Sequence, residues 1–346
     1  MSRIGVLLVN LGTPDSASTR DVRRYLRQFL SDPLVIDIPA FPRWLLLNLV
    51  ILPFRPRKSA AAYAQIWTDA GSPLKLHGER LRDDVAAMLG NDFHVELAMR
   101  YREPSIADAV ARAQAAGVDR WVVLPLFPQY STAATLSAVN AVEDAFTKSH
   151  NTAPVQVIGA FYDAPGFIEA FATVIRPHLD AFRSDHVLFS YHGLPERQLR
   201  RLDASGSHCF ASDECCDAIT DVNRGCYRAQ CVATTQLLVR ELGLGPDAHS
   251  LSFQSRLGRT PWIQPHTDQV LPELAARGVK RLAVACPAFV ADCLETLEEI
   301  AIRGRNQWLE LGGEDFTLVP SLNSHPTWVD TVVALIHSKT AEAEAP

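Results

Sequence analysis

The sequence predicts an α/β protein made of two doubly wound halves, each with a parallel sheet covered by helices on both faces. Two observations lead to this fold class. Short, continuously apolar runs alternate with longer helical patterns, which is typical of parallel strands that are buried on both faces. The alternation begins again near residue 155, and a length of 346 residues suits two domains.

The predicted strands are short apolar runs that end in turn signals. The first, residues 4–11, leads directly into Gly12-Thr13-Pro14. Further strands are predicted at 95–99, 121–126 and 155–160 in the first half, and at 186–190, 251–254 and 281–286 in the second. Helical patterns lie at 105–116, 231–242, 268–276 and 291–300. We therefore expect domains at 1–155 and 156–337 and a disordered, polar tail at 338–346.

Charge, hydropathy and missing motifs argue against several classes of function. A net charge of −6 without a basic run argues against nucleic acid as a partner. No apolar run reaches the roughly 18–20 residues of a membrane-spanning helix, and the N-terminus lacks the apolar region of a signal peptide, which predicts a cytoplasmic location. No G-x-G-x-x-G turn or P-loop follows a predicted strand, so a nucleotide-dependent enzyme is not expected.

The segment WLLLNLVILPF, residues 44–54, is the longest apolar run, and it is flanked by Arg43, Arg55 and Arg57. It is too short to span a bilayer. Its pattern suits a core segment and a surface lip equally well, and a lip could close a pocket mouth or rest in a membrane interface. These alternatives stay open, and the sequence does not indicate the oligomeric state.

Candidate site residues lie at the carboxyl ends of the predicted strands, where open parallel sheets bind their ligands. His192, in SYHGLPER, follows the strand at 186–190, and Gly193 and Pro195 turn the chain after it. A neutral imidazole at such a loop accepts a proton near neutral pH and binds divalent metals. Alternatively, this histidine caps the following turn.

The run ADCLETLEEI, residues 291–300, predicts a helix that begins near Asp292. Asp292, Glu295 and Glu299 recur at i, i+3 and i+7 and would share one helical face. By itself, such an acidic face is more typical of a solvated surface near a helix N-terminus. It could also form a hydrated path for a divalent cation.

Five of the seven cysteines lie between Cys209 and Cys231, in a segment rich in Asp, Ser, Gly and Asn. Such a segment has few core residues, so a thiolate-bound metal would hold it together. The spacing C-x5-C-C-x9-C of Cys209, Cys215, Cys216 and Cys226 does not match the paired C-x2-C of a zinc ribbon and suits an iron–sulfur cluster. Cys286 and Cys293 are separate and are expected to be packing residues.

Together these motifs resemble the ferrochelatase family, class II chelatases that need no ATP. The resemblance covers most of the chain and includes seven motifs in the family's order. They are VNLGTPD from Val9, RKSAAAYAQIW with GSPL from Arg57, MRYREPSI from Met99, LPLFPQYSTAAT from Leu124, SYHGLPER from Ser190, SFQSRLGRTPWIQPHTD from Ser252 and ACPAFVADCLETLEEI from Ala285.

The resemblance implies two Rossmann-like domains and the insertion of ferrous iron into protoporphyrin IX, the last step of haem synthesis. It implies that His192 and Glu295 are catalytic or bind the iron substrate, with Asp292 and Glu299 on an acidic path beneath. It places Arg100, Tyr101, Tyr130 and Trp262 near the porphyrin. It identifies residues 34–54 as a lip over the pocket, which in many members rests on a membrane surface.

The cysteine segment, about residues 205–230, is an insertion relative to family members without a cluster. It is similar to an internal segment of a group of bacterial members, and this likeness implies a [2Fe–2S] cluster on Cys209, Cys215, Cys216 and Cys226. Cys231 falls where members without a cluster can also have cysteine, so we rank it below the other four as a ligand.

Three alternatives remain at the level of sequence. One His and one Glu do not define a metal preference, so a chelatase for another divalent metal fits the same residues. A chelatase that acts on coproporphyrin also fits, although the apolar lip favours the more hydrophobic protoporphyrin. The third alternative, a non-catalytic porphyrin-binding module, would not need His192, Glu295 and Glu299 together.

Overall fold

The computed structural model describes residues 3–258 and 260–344, which form two compact α/β units. Among the described residues, the first unit comprises 3–127, 131–160 and 324–344, and the second comprises 128–130, 161–258 and 260–323. The strands are β1 (Ile4–Gly12), β2 (Phe93–Tyr101), β3 (Arg120–Pro125), β4 (Val155–Val157), β5 (His186–His192), β6 (His249–Gln254), β7 (Arg281–Ala285) and β8 (Asp315–Leu318).

The helices in the described residues are α1 (Thr19–Ser31), α2 (Ala40–Leu45), α3 (Leu52–Ile66), α4 (Pro73–Leu89), α5 (Ile106–Ala115), α6 (Ser137–Lys148), α7 (Pro165–Phe182), α8 (Glu196–Arg200), α9 (Tyr227–Leu242), α10 (Thr267–Ala276), α11 (Arg305–Glu310) and α12 (Pro326–Glu344). Three segments are π-helical: Leu46–Ile51, Thr132–Leu136 and Glu295–Gly304. Pro246–Ala248 forms a short 3-10 turn.

The first unit is built on a parallel sheet with strand order β2-β1-β3-β4. Ile4 of β1 is in register with Phe93 of β2 and Arg120 of β3. The central strands are apolar on both faces because helices cover both. On one face, Leu7, Val9 and Trp121 pack with Phe146 of α6 in a buried cluster.

The second unit repeats this plan with strand order β6-β5-β7-β8, again all parallel. Leu188, Val284 and Trp308 belong to its buried cluster. His192 is the last residue of β5 and is in register with Gln254, the last residue of β6. The carboxyl ends of these two neighbouring strands therefore meet at one edge of the sheet.

The predicted fold class, two parallel doubly wound sheets, is confirmed, but one strand, the placement of the last helix and the structure of the tail differ from the prediction. β8 has no counterpart among the predicted strands, because its four residues are too short to give a pattern. α12 belongs to the first unit, where it contacts α4 and β3. It is helical as far as Glu344, so the prediction of a disordered tail is wrong for residues 338–344; residues 345 and 346 lie outside the described residues.

The predicted apolar lip, residues 34–54, contains α2, a π-helical turn and the start of α3. Phe41 is 70% exposed and Phe54 is 76% exposed, with Trp44, Leu49 and Val50 also exposed. A core position is therefore wrong for these five side chains. Within the described residues, no helix combines the length and apolar character needed to cross a membrane.

Candidate active site

His192 is held at the end of β5 by hydrogen bonds to both its ring and its backbone. Its Nδ1 lies 2.6 Å from the carbonyl oxygen of Gly193. Because a carbonyl can only accept, Nδ1 carries the proton in this contact, so in the neutral ring the lone pair lies on Nε2. The backbone carbonyl of His192 accepts a 2.9 Å hydrogen bond from the Tyr227 hydroxyl. The half-buried imidazole is thus oriented as a proton acceptor or metal ligand.

Gly193 is required by the close approach of β6. Its N–H donates to the Gln254 carbonyl at 2.8 Å. A Cβ at this position would lie 2.8 Å from that same oxygen and 3.3 Å from the ring of Trp262. The half-buried Trp262 donates from Nε1 to the Leu257 carbonyl at 2.9 Å. The Trp262 ring is therefore held in one position beside the His192 loop.

Gln254 joins this strand edge to the acidic helix. Its side chain is buried, and it accepts from the Ser190 hydroxyl at 2.8 Å and donates to the Glu295 backbone carbonyl at 2.9 Å. Glu295 is the first residue of the π-helix and is half-buried. The structure therefore connects Ser190, two residues before His192, with the Glu295 backbone through one buried amide, which no sequence pattern indicated.

Glu299, a carboxylate of the predicted acidic face, is fixed by Ser255. It accepts hydrogen bonds from the Ser255 N–H at 2.9 Å and from the Ser255 hydroxyl, and Arg303 lies 3.9 Å away. Ser255 has a φ of 67°, a left-handed conformation that costs energy for a residue with a Cβ. This conformation points both Ser255 donors at one carboxylate.

Asp292 does not share a helical face with Glu295 and Glu299. The predicted α-helix at 291–300 is wrong, because the π-helix begins at Glu295 and Asp292 precedes it. A spacing of i, i+3 and i+7 assumes 3.6 residues per turn, whereas a π-helix bonds i to i+5. The Asp292 carboxylate is buried and accepts from Thr296 and Asn323 side chains at 2.9 Å and from the Ser321 N–H at 3.3 Å.

Tyr130 also lies in the second unit and is fixed through its backbone. Its N–H donates to Oε1 of Gln230 at 2.6 Å. The neighbouring Gln129 is buried and donates to Thr234 at 3.1 Å. Burial raises the pKa of the Tyr130 phenol, so the hydroxyl stays protonated near neutral pH. The first half of α9 therefore fixes the loops of both Tyr130 and His192.

Arg100 and Tyr101 end β2 in the first unit, where both bind Asp32. The Asp32 carboxylate accepts from Arg100 at 2.7 Å, from the Tyr101 hydroxyl at 2.8 Å and from Ser137 at 2.6 Å. Burial alone would raise the pKa of Asp32, but hydrogen bonds from Ser137, the Leu34 N–H and Tyr101, with the charge of Arg100, hold the pKa below its usual value. Tyr101 has no exposed surface. Its ring centroid lies 4.6 Å from Cζ of Arg100, so the buried ring supports the guanidinium.

The four predicted cluster ligands line one small cavity in the second unit. Cys209, Cys215, Cys216 and Cys226 share it with His208. The sulfur atoms of Cys215 and Cys216 are 3.6 Å apart, and Cys231 is buried in α9 and is not part of the cavity lining. Cys286 and Cys293 are buried elsewhere in the unit.

Electrostatics show that the cavity disfavours several thiolates at once. Burial and the neighbouring thiols raise the pKa of Cys209 to about 11. The hydrogen bond that Cys216 makes to Cys226 raises the pKa of Cys216 and lowers that of Cys226. Among residues 3–258 and 260–344, however, no three His, Cys, Asp or Glu side chains already converge into a metal-ion site.

Comparison with known proteins gives the same assignment as the motifs. The sequence profile of the ferrochelatase family matches residues 3–340. A protein named ferrochelatase from Coxiella burnetii (strain CbuG_Q212) is 48% identical over 334 residues, which covers 96% of this chain and 93% of that protein. One from Legionella pneumophila (strain Lens) is 46% identical over 338 residues, covering 97% of this chain and 99% of that protein.

Solved structures support the fold. SirB from Bacillus subtilis with Fe3+ aligns with a TM-score of 0.54 at 11% identity, covering 99% of this chain and 97% of that one. A sirohydrochlorin chelatase SirB from Bacillus subtilis subspecies spizizenii in complex with cobalt aligns with a TM-score of 0.55 at 10% identity, with the same coverage. At this identity the likeness shows the fold, and the profile and the close relatives show the family. The chain belongs to the ferrochelatase family.

Proposed function

We propose that this ferrochelatase inserts ferrous iron into protoporphyrin IX, with His192 as the base. The observation that supports this role is the contact between Nδ1 and the Gly193 carbonyl, which leaves Nε2 free to accept a proton. Two pyrrole N–H protons must leave the porphyrin as the iron enters, so a base fixed in one tautomer is the group that the reaction needs. Trp262, held beside His192, would restrict how the macrocycle lies.

Glu295 and Glu299 are proposed to handle the iron substrate. Ferrous ion must exchange its water ligands stepwise, and carboxylates can replace water. Glu295 begins the π-helix beside Gln254, and Glu299 follows one turn later with its oxygens fixed by Ser255. Asp292 would stabilise the start of this helix, because its carboxylate oxygens already accept hydrogen bonds from Thr296, Asn323 and Ser321.

Arg100 is proposed to contact the porphyrin, with Tyr101 as its support. Asp32 and Ser137 bind two of the three guanidinium nitrogens, Nη2 and Nε, at 2.7 Å. The third, Nη1, has no hydrogen-bond partner in the described part of the protein, and the Arg100 side chain is 22% exposed. Such a free N–H edge suits a ligand carboxylate. Tyr130 would offer the porphyrin a neutral hydroxyl group.

An anaerobic insertion assay tests the substrate assignment. Ferrous iron is supplied with protoporphyrin IX or with coproporphyrin III, and metalloporphyrin formation is followed by absorbance. The proposal predicts a higher kcat/KM for protoporphyrin IX. A preference for coproporphyrin III would contradict the substrate assignment while retaining the chelatase activity. Porphyrin binding without insertion of ferrous iron would contradict the reaction.

We further propose that Cys209, Cys215, Cys216 and Cys226 hold a [2Fe–2S] cluster. The donor set fits, since four thiols line one cavity and such clusters are held by Cys thiolates. Burial and the neighbouring thiols raise the pKa of Cys209, and a bound cation would stabilise its thiolate against both. Iron and sulfide analysis of anaerobically purified protein tests this: about two of each per chain are expected, and their absence would refute it.

The exposed lip supports a peripheral contact with a membrane surface. Phe41, Trp44, Leu49, Val50 and Phe54 form the exposed apolar set, and Arg55 and Arg57 follow it in the sequence. An apolar face with adjacent cations is typical of interfacial segments. In sedimentation with anionic phospholipid vesicles, the wild type should pellet with the vesicles. The double variant Trp44→Ser/Phe54→Ser should stay in the supernatant. Equal binding by both proteins would contradict a role for the lip.

A further inference from the structure

The first two turns of α9 connect residues 205–226, the part of the cysteine segment that precedes this helix, with the loops of His192 and Tyr130. Cys226 is the residue immediately before α9, and its N–H donates to the Asn223 carbonyl at 2.8 Å. Asn223 is buried and also donates to the carbonyls of Cys215 and Ala218. The residue before α9 is therefore tied to the segment by one backbone hydrogen bond to Asn223, whose buried side chain binds two further carbonyls of the segment.

Tyr227 makes the first connection. It follows Cys226 directly and is 5% exposed, and its hydroxyl donates to the His192 carbonyl at 2.9 Å. Any displacement of Cys226 along the helix axis would lengthen this bond or move the end of β5.

Gln230 makes the second connection, one turn later. Its Nε2 donates to the Arg224 carbonyl in the cysteine segment at 2.7 Å, and its Oε1 accepts from the Tyr130 N–H at 2.6 Å. The side chain is 2% exposed, so neither bond can be exchanged for water without opening the packing. One buried amide thus bridges the segment and the Tyr130 loop.

We propose that Tyr227 and Gln230 are positioning residues through which the state of the cysteine segment sets the geometry of His192 and Tyr130. This inference depends on the function proposed above for His192, and it gives the cluster a structural influence on a reaction that has no net electron transfer. Loss of the four-thiol site would shift Cys226 and Arg224, and with them both loops. Activity would fall although no cluster atom takes part in proton or iron transfer.

A double-mutant cycle tests the connection. Tyr227→Phe removes one hydroxyl and should lower kcat about three- to tenfold, the range of one buried hydrogen bond, with iron and sulfide content unchanged. Cys226→Ser should lose the cluster absorbance and lower kcat at least as much. The double variant should be no slower than Cys226→Ser, because both changes break the same connection. Multiplicative losses, or wild-type kcat in Tyr227→Phe, would overturn the proposal.

Gln236→Ala is the matched control. Gln236 also lies on α9 and donates to the Asp217 carbonyl of the cysteine segment at 3.0 Å, but it bonds no residue of the His192 or Tyr130 loops. This variant should keep wild-type kcat. Should Cys226→Ser fail to fold, Cys209→Ser replaces it, because Cys209 lines the same cavity but does not cap α9.

Hydrogen exchange supplies a readout that does not need turnover. The peptide covering residues 190–197 should exchange faster in both Tyr227→Phe and Cys226→Ser, and at the wild-type rate in Gln236→Ala. Unchanged exchange in the first two variants would refute the connection. If the wild type contains no iron or sulfide, the cluster proposal fails separately, and exchange still decides whether Tyr227 couples the segment to His192.

Discussion

At the scale of single residues, the site depends on a few close contacts around His192. Gly193 allows the β5 and β6 backbones to approach, and the imidazole in turn binds the Gly193 carbonyl. The chemistry of one histidine is therefore tied to the absence of a side chain on the next residue.

Gly193→Ala should displace the His192 loop. The added Cβ would lie 2.8 Å from the Gln254 carbonyl oxygen, a backbone atom that cannot move independently. We expect insertion to slow at least about tenfold and stability to fall by about 1–3 kcal/mol, as for other overpacked sites. Insertion kinetics and urea unfolding measure both quantities. Gly245→Ala, where a Cβ has nothing within 4 Å, is the control; equal effects at both glycines would contradict the account.

Asp32→Asn should destabilise the protein in a pH-dependent way. Asp32 is buried and paired with Arg100, so removal of its charge should cost about 3 kcal/mol of unfolding free energy at pH 7. Its folded pKa is lowered, so its contribution is present above the unfolded pKa of about 3.9 and disappears as the pH falls through the folded value. In urea melts from pH 7 to pH 3, the difference in unfolding free energy between the two proteins should shrink as the pH falls below about 3.9. A difference that is constant with pH would contradict this.

The candidate site residues could be predicted from the sequence, but the residues that hold them in place could not. His192, Glu295 and the four cysteines belong to recognisable motifs, and the four cysteines line one cavity. Asp32, Gln254, Tyr227 and Gln230 had no signal, because each acts through a tertiary hydrogen bond to a distant residue. The contacts of a lone polar residue cannot be known before the fold is.

At the scale of elements, the acidic helix shows where periodicity fails. The spacing of Asp292, Glu295 and Glu299 would place their carboxylates on one face of an α-helix. The chain instead forms a π-helix from Glu295 to Gly304, and at its end the Arg305 N–H donates to the Ile300 carbonyl, five residues back. Local sequence hardly distinguishes these helices, and π-helical segments are often found at functional sites. Tertiary contacts, such as Gln254 to the Glu295 carbonyl, help to hold this one.

α12 is an element of the first unit's core, and a core substitution there should be costly. Ile336 is fully buried on α12, which contacts α4 and β3. Ile336→Ala should lower the unfolding free energy by about 2–5 kcal/mol, measured by urea unfolding. Ser338 lies two residues further along α12 and is exposed, so Ser338→Ala should change the unfolding free energy by less than about 0.5 kcal/mol. Similar values for the two would show that α12 does not contribute to the core.

At the scale of the whole molecule, the fold class and the family were predictable because many weak signals agree along the chain. Alternating strands and helices predicted two parallel sheets, and both sheets are present with four strands each. The return of α12 to the first unit was not predictable, since its helical pattern does not tell which sheet it packs against. The exposure of the lip was likewise undecided, because apolar residues alone suit both a core and a surface.

The central claim is that His192, with Nε2 free, is the base for iron insertion. The most direct measurement is anaerobic haem formation from ferrous iron and protoporphyrin IX by the wild type and His192→Ala, with porphyrin affinity measured in parallel by fluorescence quenching. The account predicts rapid haem formation by the wild type and a loss of roughly 100-fold or more in the variant, with porphyrin still bound. Turnover near the wild-type rate in His192→Ala would contradict it.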